Sequence, residues 1–399
     1  MRTPPVPPRW TRLLAGALIV LFYVAIANSA ALIPDLGARG VLVDFDAFYI
    51  VGGLVAEGRA AEAYDPAVMA ALQRALVGHD GFMPWTYPPP FDLVAGLLAT
   101  LPRGLSYGLF TGLTLAFYLW VLARLAGPGL GLVLLALAPP IYVTATIGQN
   151  AFLTAGLMGL FCLLTLGGRS LAGLPLGLLV IKPHLGIGLG VQALAAGRWR
   201  VIGLAAAVAL GLSLLSTLAL GPGIWSAFRS GVDAAGQALA VGFYPLFRMT
   251  SAYALAHTLG LSPSLALALQ IAVALAALAL VALAVRRRLP ARQTLAAACF
   301  ASTLVSPYLY DYDMTLAGIG LALVLADLRA RASVVELVLL LVLAWVAGGW
   351  GMLHAIASSG LPWEERAANA RATLAFGALA WLVLLALIAR LLCRPGTRP

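Results

Sequence analysis

Apolar residues run along this chain in long blocks separated by short polar turns and by two long mixed segments. The blocks cover 13–33, 104–123, 129–147, 151–166, 201–220, 265–285, 295–305, 314–326, 334–347 and 373–392. About 20 apolar residues in a helix cross the roughly 30 Å hydrocarbon core, and in lipid the backbone must satisfy its own hydrogen bonds, so each block predicts a helix. A further apolar stretch, 171–196, is interrupted at Lys182-Pro183, and 88–101 is short enough to enter the bilayer and return. The pattern predicts an all-α polytopic membrane protein of about twelve helices, one membrane domain over 1–399. The mixed segments are 34–92, a first external loop, and 221–262, a second, whose Trp225, Phe228, Tyr244 and Phe247 suit short helices at the interface.

Composition sharpens this picture. Of 399 residues 62% are hydrophobic and 10% charged, and the mean hydropathy is +0.97. A water-soluble fold, with about 25% charged residues, has far more polar material to cover itself. The net charge of +10 sits in arginine groups between apolar blocks: 2, 9 and 12; 198 and 200; 286–288 and 292; 329 and 331; 390, 394 and 398. That is the cytoplasmic-loop bias of membrane proteins, not a nucleic-acid groove. Keeping Arg124, Arg169, Arg198 and Arg200 on one side makes 171–196 a hairpin of two short helices, tip outward at Lys182-Pro183; the alternative is one kinked helix with 88–101 as a true span. Cys162, Cys299 and Cys393 show no pairing pattern. The arginine-rich start followed by an apolar block reads as a retained anchor.

Eight of the fifteen carboxylates lie between Asp35 and Asp92. Glu57, Glu62 and Asp80 read as the wet face of a loop. Asp44 and Asp46 do not, because Val43, Phe45, Phe48 and Tyr49 flank them. A carboxylate held against apolar neighbours has a raised pKa and can act as a general base. Lys182 is the one lysine beside twenty-four arginines, and it stands in an apolar stretch, followed by Pro183 and His184. A cation at that depth marks a site facing the protein interior, here one for a phosphate, unless it snorkels to the surface. Ser306-Pro307-Tyr308-Leu309-Tyr310-Asp311-Tyr312-Asp313 closes a block with two acids that an interfacial tyrosine belt does not account for, and Gly148-Gln149-Asn150 is a polar turn between two blocks. No phosphate-cradling glycine loop, nucleophile elbow or metal-ligand histidine pair occurs, and the acid pair Asp44/Asp46 alone is weak ground for a metal.

Taken in order, these segments resemble glycosyltransferase family 87. The matching pieces are Asp44-Phe45 with Phe48-Tyr49, Gly58 and Tyr64-Asp65; Tyr87-Pro88-Pro89; Gly148-Gln149; Ala172-Gly173 with Gly177 and Lys182-Pro183; Gly197-Arg198-Trp199; and Ser306-Pro307-Tyr308 with Asp311-Tyr312-Asp313. The resemblance implies the membrane fold of the GT-C class, a polyprenyl-phosphate sugar donor with mannose favoured, and a lipid or glycan acceptor. It implies inverting transfer on the outer face of a bacterial inner membrane by a monomer, with no cofactor, no metal and no nucleic acid. Asp44 maps to the general base, with Asp46 the alternative. Lys182, His184 and Arg248 are expected at the donor phosphate, although His184 stands where the family more often has glutamine. Tyr49, Tyr87, Gln149, Asn150, Tyr308, Asp311 and Asp313 are expected to line the substrate site.

Two other readings remain open. The same fold could use an arabinofuranosyl or other pentose donor. A transporter or flippase for lipid-linked sugars would instead show internal repeats and charges within several spans, whereas no repeat stands out here and the acids gather outside the blocks.

Overall fold

The computed structural model describes residues 42–78, 82–358 and 363–394. The expected first span at 13–33, with its reading as an anchor, and the acids Asp35 and Asp80 lie outside the described residues. Among the described residues all regular structure is helical, apart from one antiparallel bridge between Met249 and Tyr310. Five helical stretches are long and apolar enough to cross a membrane: Arg103–Ala136, Trp199–Leu220, Pro263–Arg286, Val334–Ala357 and Ala368–Cys393.

Local chemistry sets where these helices begin. Pro263 opens its helix behind Ser262, whose hydroxyl accepts the Leu265 N–H at 3.4 Å. Val334–Ala357 starts with a reciprocal cap, the Ser333 hydroxyl accepting the Glu336 N–H and the Glu336 carboxylate accepting the Ser333 N–H at 2.9 Å. Glu336 then takes Arg390 and Arg394, each at 2.8 Å, which ties that helix to its neighbour Phe376–Cys393.

Several expected spans take another form. The block at 129–147 is two helices, Leu130–Ala136 and Ala138–Ile147, because Pro139 and Pro140 cannot continue a helix and instead begin a new one. The blocks at 295–305 and 314–326 lie in helices Ala291–Ser302 and Thr315–Arg331, 12 and 17 residues long. Leu316, Ala317, Ile319, Ala322, Leu323 and Val324 of the second are buried by neighbouring helices, so this apolar run fills a protein core and does not face lipid. Pro89–Leu98 has 10 residues, a rise of about 15 Å, half of a crossing. The 171–196 stretch breaks as its sequence suggests: Gly173–Leu178 and Ile187–Ala195 flank two 3-10 turns, and Lys182 between the turns has φ −151° and ψ 68°, outside the helical region.

The core has two main parts. One lies within the bundle around Tyr118, Phe152, Phe161 and Trp381. The other lies at one end, where the loop helix Asp44–Ala56 meets Pro89–Leu98 and the start of Arg103–Ala126. Aromatic rings fill it: Phe48 sits edge-on to Phe91 at 5.1 Å and to Trp85 at 5.9 Å, and Phe45 edge-on to Tyr107 at 5.2 Å. Segment 221–262 covers this end with helix Ile224–Ala240, which buries Ile224, Gly231, Ala235 and Leu239 on one side, with Phe228 against Tyr64 at 5.8 Å. A buried aromatic floor thus holds the first loop rigidly against the bundle.

Candidate active site

Asp44 is the first residue of its helix, and a cluster of polar and charged side chains gathers around that helix end. Residues two apart on an α-helix point about 200° from one another, so Asp44 and Asp46 occupy opposite faces. Asp46 turns inward, where Oδ2 accepts the Val43 N–H at 3.1 Å and Oδ1 lies 3.6 Å from Arg103, with no exposure to solvent. It caps the helix. Asp44 is half-buried and faces the opposite way, where Oδ1 accepts the Gln149 side-chain amide at 2.7 Å. Burial raises its pKa, while Arg248, the Gln149 hydrogen bond and Lys182 lower it and Asp311 raises it; the carboxyl settles pushed up to about 6.

The opposite wall comes from one turn of chain. Met249 pairs with Tyr310, and the Thr250 N–H donates to the Leu309 carbonyl at 2.7 Å, which sets Arg248 beside the 3-10 turn Asp311–Met314. Arg248 grips Asp311 in bidentate fashion, Nε to Oδ2 at 3.0 Å and Nη2 to Oδ1 at 2.9 Å. Lys182 donates to Asp313 Oδ1 at 2.6 Å. Each cation also lies over a tyrosine, Arg248 5.7 Å from the Tyr310 ring and Lys182 5.3 Å from the Tyr312 ring, and these two rings stack 11° from parallel. The sequence Tyr-Asp-Tyr-Asp therefore supplies one ring and one carboxylate to each cation. Gly351 lets this assembly meet the bundle, since a Cβ there would collide with the Asp311 carboxylate and come within 2.9 Å of Arg248 Cγ.

Of the residues expected from sequence, Asp44, Tyr87, Gln149, Asn150, Lys182, Arg248, Asp311 and Asp313 come together. His184 follows Lys182 in the next turn and is close enough to feel its charge. Tyr49 does not reach this cluster: its hydroxyl donates to the Leu101 carbonyl at 3.0 Å. Tyr308 lies beside it in a ring pair with Tyr244 at 5.7 Å. Asp65 caps helix Pro66–Val77 through the Ala67 N–H at 2.8 Å, and Glu57 and Glu62 share Arg59 at the surface. Among the described residues no three His, Cys, Asp or Glu side chains form a group that could hold a metal ion.

Sequence alone misses one support, Asp92, and marks another, Gly148, without its role. Asp92, fully buried, accepts the Trp85 indole N–H at 2.8 Å and the Tyr64 hydroxyl at 2.9 Å, fixing the segment that carries Tyr87. Gly148 has φ 66°, and a Cβ there would lie 2.6 Å from the Tyr107 ring and 2.7 Å from Phe45 Cβ. A residue with a side chain would push Gln149 away from Asp44. The burial of Asp92 beside Trp85 has no sequence signal, whereas the Gly148-Gln149 pair at the end of a block is one.

The comparisons with known proteins bear on this pocket. The sequence model of glycosyltransferase family 87 matches residues 85–307, more than half of the chain. That stretch carries Tyr87, Gln149, Asn150, Lys182, His184 and Arg248, while Asp44, Asp311 and Asp313 lie outside it and reach the same pocket through the fold. No match is found among curated proteins or among solved structures.

Proposed function

Since the chain belongs to glycosyltransferase family 87, and is thus a membrane glycosyltransferase, we propose that it moves a sugar, mannose in the first instance, from a polyprenyl-phosphate donor to a lipid or glycan acceptor. The reaction takes place on the outer face of a bacterial inner membrane, with inversion. The observation that carries this reading is one half-buried carboxylate, Asp44, facing two cations, buried Lys182 and partly buried Arg248, each over an aromatic ring.

Each group has a task in that reaction. Asp44 accepts the proton of the acceptor hydroxyl as its oxygen attacks the anomeric carbon. The bond from that carbon to the phosphate oxygen breaks, its electron pair stays on oxygen, and polyprenyl phosphate leaves with the added charge. Negative charge therefore passes from Asp44 to the leaving phosphate. Arg248 and Lys182, which both act on Asp44 in the resting protein, stabilise that charge as it develops. Asp311 and Asp313 hold the cations in place, and a fixed dipole or charge costs no reorganisation at the moment of reaction. His184 extends the phosphate side of the pocket. Tyr308, Tyr310 and Tyr312 present hydroxyls to the sugar, and Asn150 offers a fully buried side-chain amide beside the Tyr87 hydroxyl.

The test is reconstitution. Purified protein in liposomes is given polyprenyl phosphates bearing labelled mannose, glucose or arabinofuranose, with envelope lipid extract as acceptor. Transfer of label to acceptor with inverted anomeric configuration is expected, mannose being used best. Translocation of intact labelled donor across the bilayer without transfer would contradict the proposal and favour a flippase.

A further inference from the structure

Gln149 has the position of a substrate ligand but the hydrogen bonds of something else. Its Oε1 accepts twice, from the Tyr87 hydroxyl at 2.8 Å and from the Asn150 backbone N–H at 2.8 Å, and its Nε2 donates to Asp44 Oδ1 at 2.7 Å. We infer that Gln149 is a positioning residue for the base: its amide is locked so that its NH2 group must donate to Asp44, leaving the other carboxylate oxygen to the acceptor hydroxyl. The inference rests on the role proposed above for Asp44.

A primary amide can usually rotate by half a turn and exchange its oxygen and nitrogen. Here it cannot. The backbone N–H of Asn150 is a donor whatever the side chains do, so the atom facing it must be the oxygen. Rotation would set the NH2 group against that N–H, and would set the amide oxygen against a carboxylate. Each of these leaves a buried polar group unsatisfied or opposed.

Tyr87 is held in place as well. Burial and the nearby Asp44 charge hold its phenol well above the ordinary value, so it keeps the proton that it donates to Gln149. Its carbonyl accepts the Tyr64 hydroxyl at 2.8 Å, and its ring packs on Phe91 at 4.6 Å and edge-on to Phe48 at 5.6 Å. Gly148, with no room for a Cβ, sets the turn that brings Gln149 to Asp44. The two ends of the chain from Tyr64 to Asp44 are thereby fixed by backbone and buried rings.

The hydrogen bond favours the ionised form of Asp44 and offsets burial. Other charged and titratable groups facing Asp44 are Arg248, Lys182, Asp311, Tyr87, Tyr310 and Tyr312, with Asp313 behind Lys182; Asp46 on the same helix turns to Arg103. Of these groups, Lys182 and Arg248 also favour the anion, but each is tied to its own carboxylate.

The test compares Gln149→Leu and Tyr87→Phe with the unaltered protein in two measurements. First, infrared difference titration of protein carrying 13C-labelled aspartate, with Asp44→Asn subtracted, reads the protonation midpoint of Asp44 without any need for turnover. The midpoint is expected to move up by about one pH unit in Gln149→Leu and by less in Tyr87→Phe, where Asn150 still holds the amide. Second, in transfer assays the acid limb of the pH–rate profile should move by the same amount, with kcat falling and donor KM within about twofold. An unmoved midpoint in Gln149→Leu would overturn the inference, as would an unchanged kcat with raised donor KM. A shifted midpoint in a protein that transfers no sugar would leave the positioning of Asp44 intact and refute the proposed function instead.

Discussion

Lys182 and Asp313 form a pair that costs little to keep and much to break. Their charged atoms are 2.6 Å apart, and the side chains retain 10% and 1% exposure. At an effective dielectric constant of about 20 their attraction is about 6 kcal/mol, and the desolvation of two charges takes back most of it. The whole pair therefore contributes little net stability. Removing one partner is different, because it leaves a buried charge uncompensated, at about 3–5 kcal/mol. In Lys182→Met, Asp313 loses the group that lowers its pKa, while burial, which raises it, remains; it relieves part of this cost by binding a proton. A destabilisation of about 3 kcal/mol is expected. In the double variant Lys182→Met/Asp313→Asn no charge is left behind, and the asparagine oxygen still faces the Tyr310 N–H, so most of that stability should return. Donor use should not return if Lys182 has the phosphate role proposed above, because that cation is still missing. Unfolding midpoints in mixed micelles and donor KM, measured on the same preparations, separate the two effects. A double variant that recovers stability and donor KM together would refute the phosphate role; a single variant that melts like the unaltered protein would refute the energetic argument.

Two further outcomes follow from the same pocket. Because Asp44 must be ionised to take a proton and its carboxyl is pushed up to about 6, kcat/KM should fall about tenfold per unit as pH drops below that value. The opposite result, activity that rises as pH falls through 6, would require Asp44 to act as an acid. Gly148→Ala places a side chain at φ 66° against Tyr107 and Phe45; a loss of about 1–3 kcal/mol in stability and most of the transfer rate is expected, and a variant with normal kinetics would show that the close approach to Asp44 is not needed.

How much of this was legible in the sequence depends on the range of the interaction. Asp44 stood out because aromatic residues flank it, and Lys182 because an arginine-rich chain kept one lysine in an apolar stretch. That Asp44 and Asp46 point to opposite faces needed only one more local fact, that both lie in the first turn of a helix. The partners of the cations were not legible, since Lys182 meets Asp313 across 131 residues and Arg248 meets Asp311 across 63. The helix count suffered for another reason. Apolar runs such as 314–326 look alike whether lipid or protein covers them, and Thr315–Arg331 is covered by protein. Pro139-Pro140 did carry a signal, a helix break inside the 129–147 block.

The most direct test is Asp44→Asn, assayed for sugar transfer from polyprenyl phosphate and for thermal unfolding on the same preparation. Asparagine keeps an oxygen for the Gln149 amide and removes a charge whose folded-state pKa lies above its ordinary value. That elevation means the ionised carboxylate opposes folding, and that protonation relieves it as pH falls through about 6. The variant should therefore melt no lower than the unaltered protein at pH 8 while losing transfer by at least about a thousandfold. A folded Asp44→Asn protein that transfers sugar at the normal rate would contradict the central claim that Asp44 is the base.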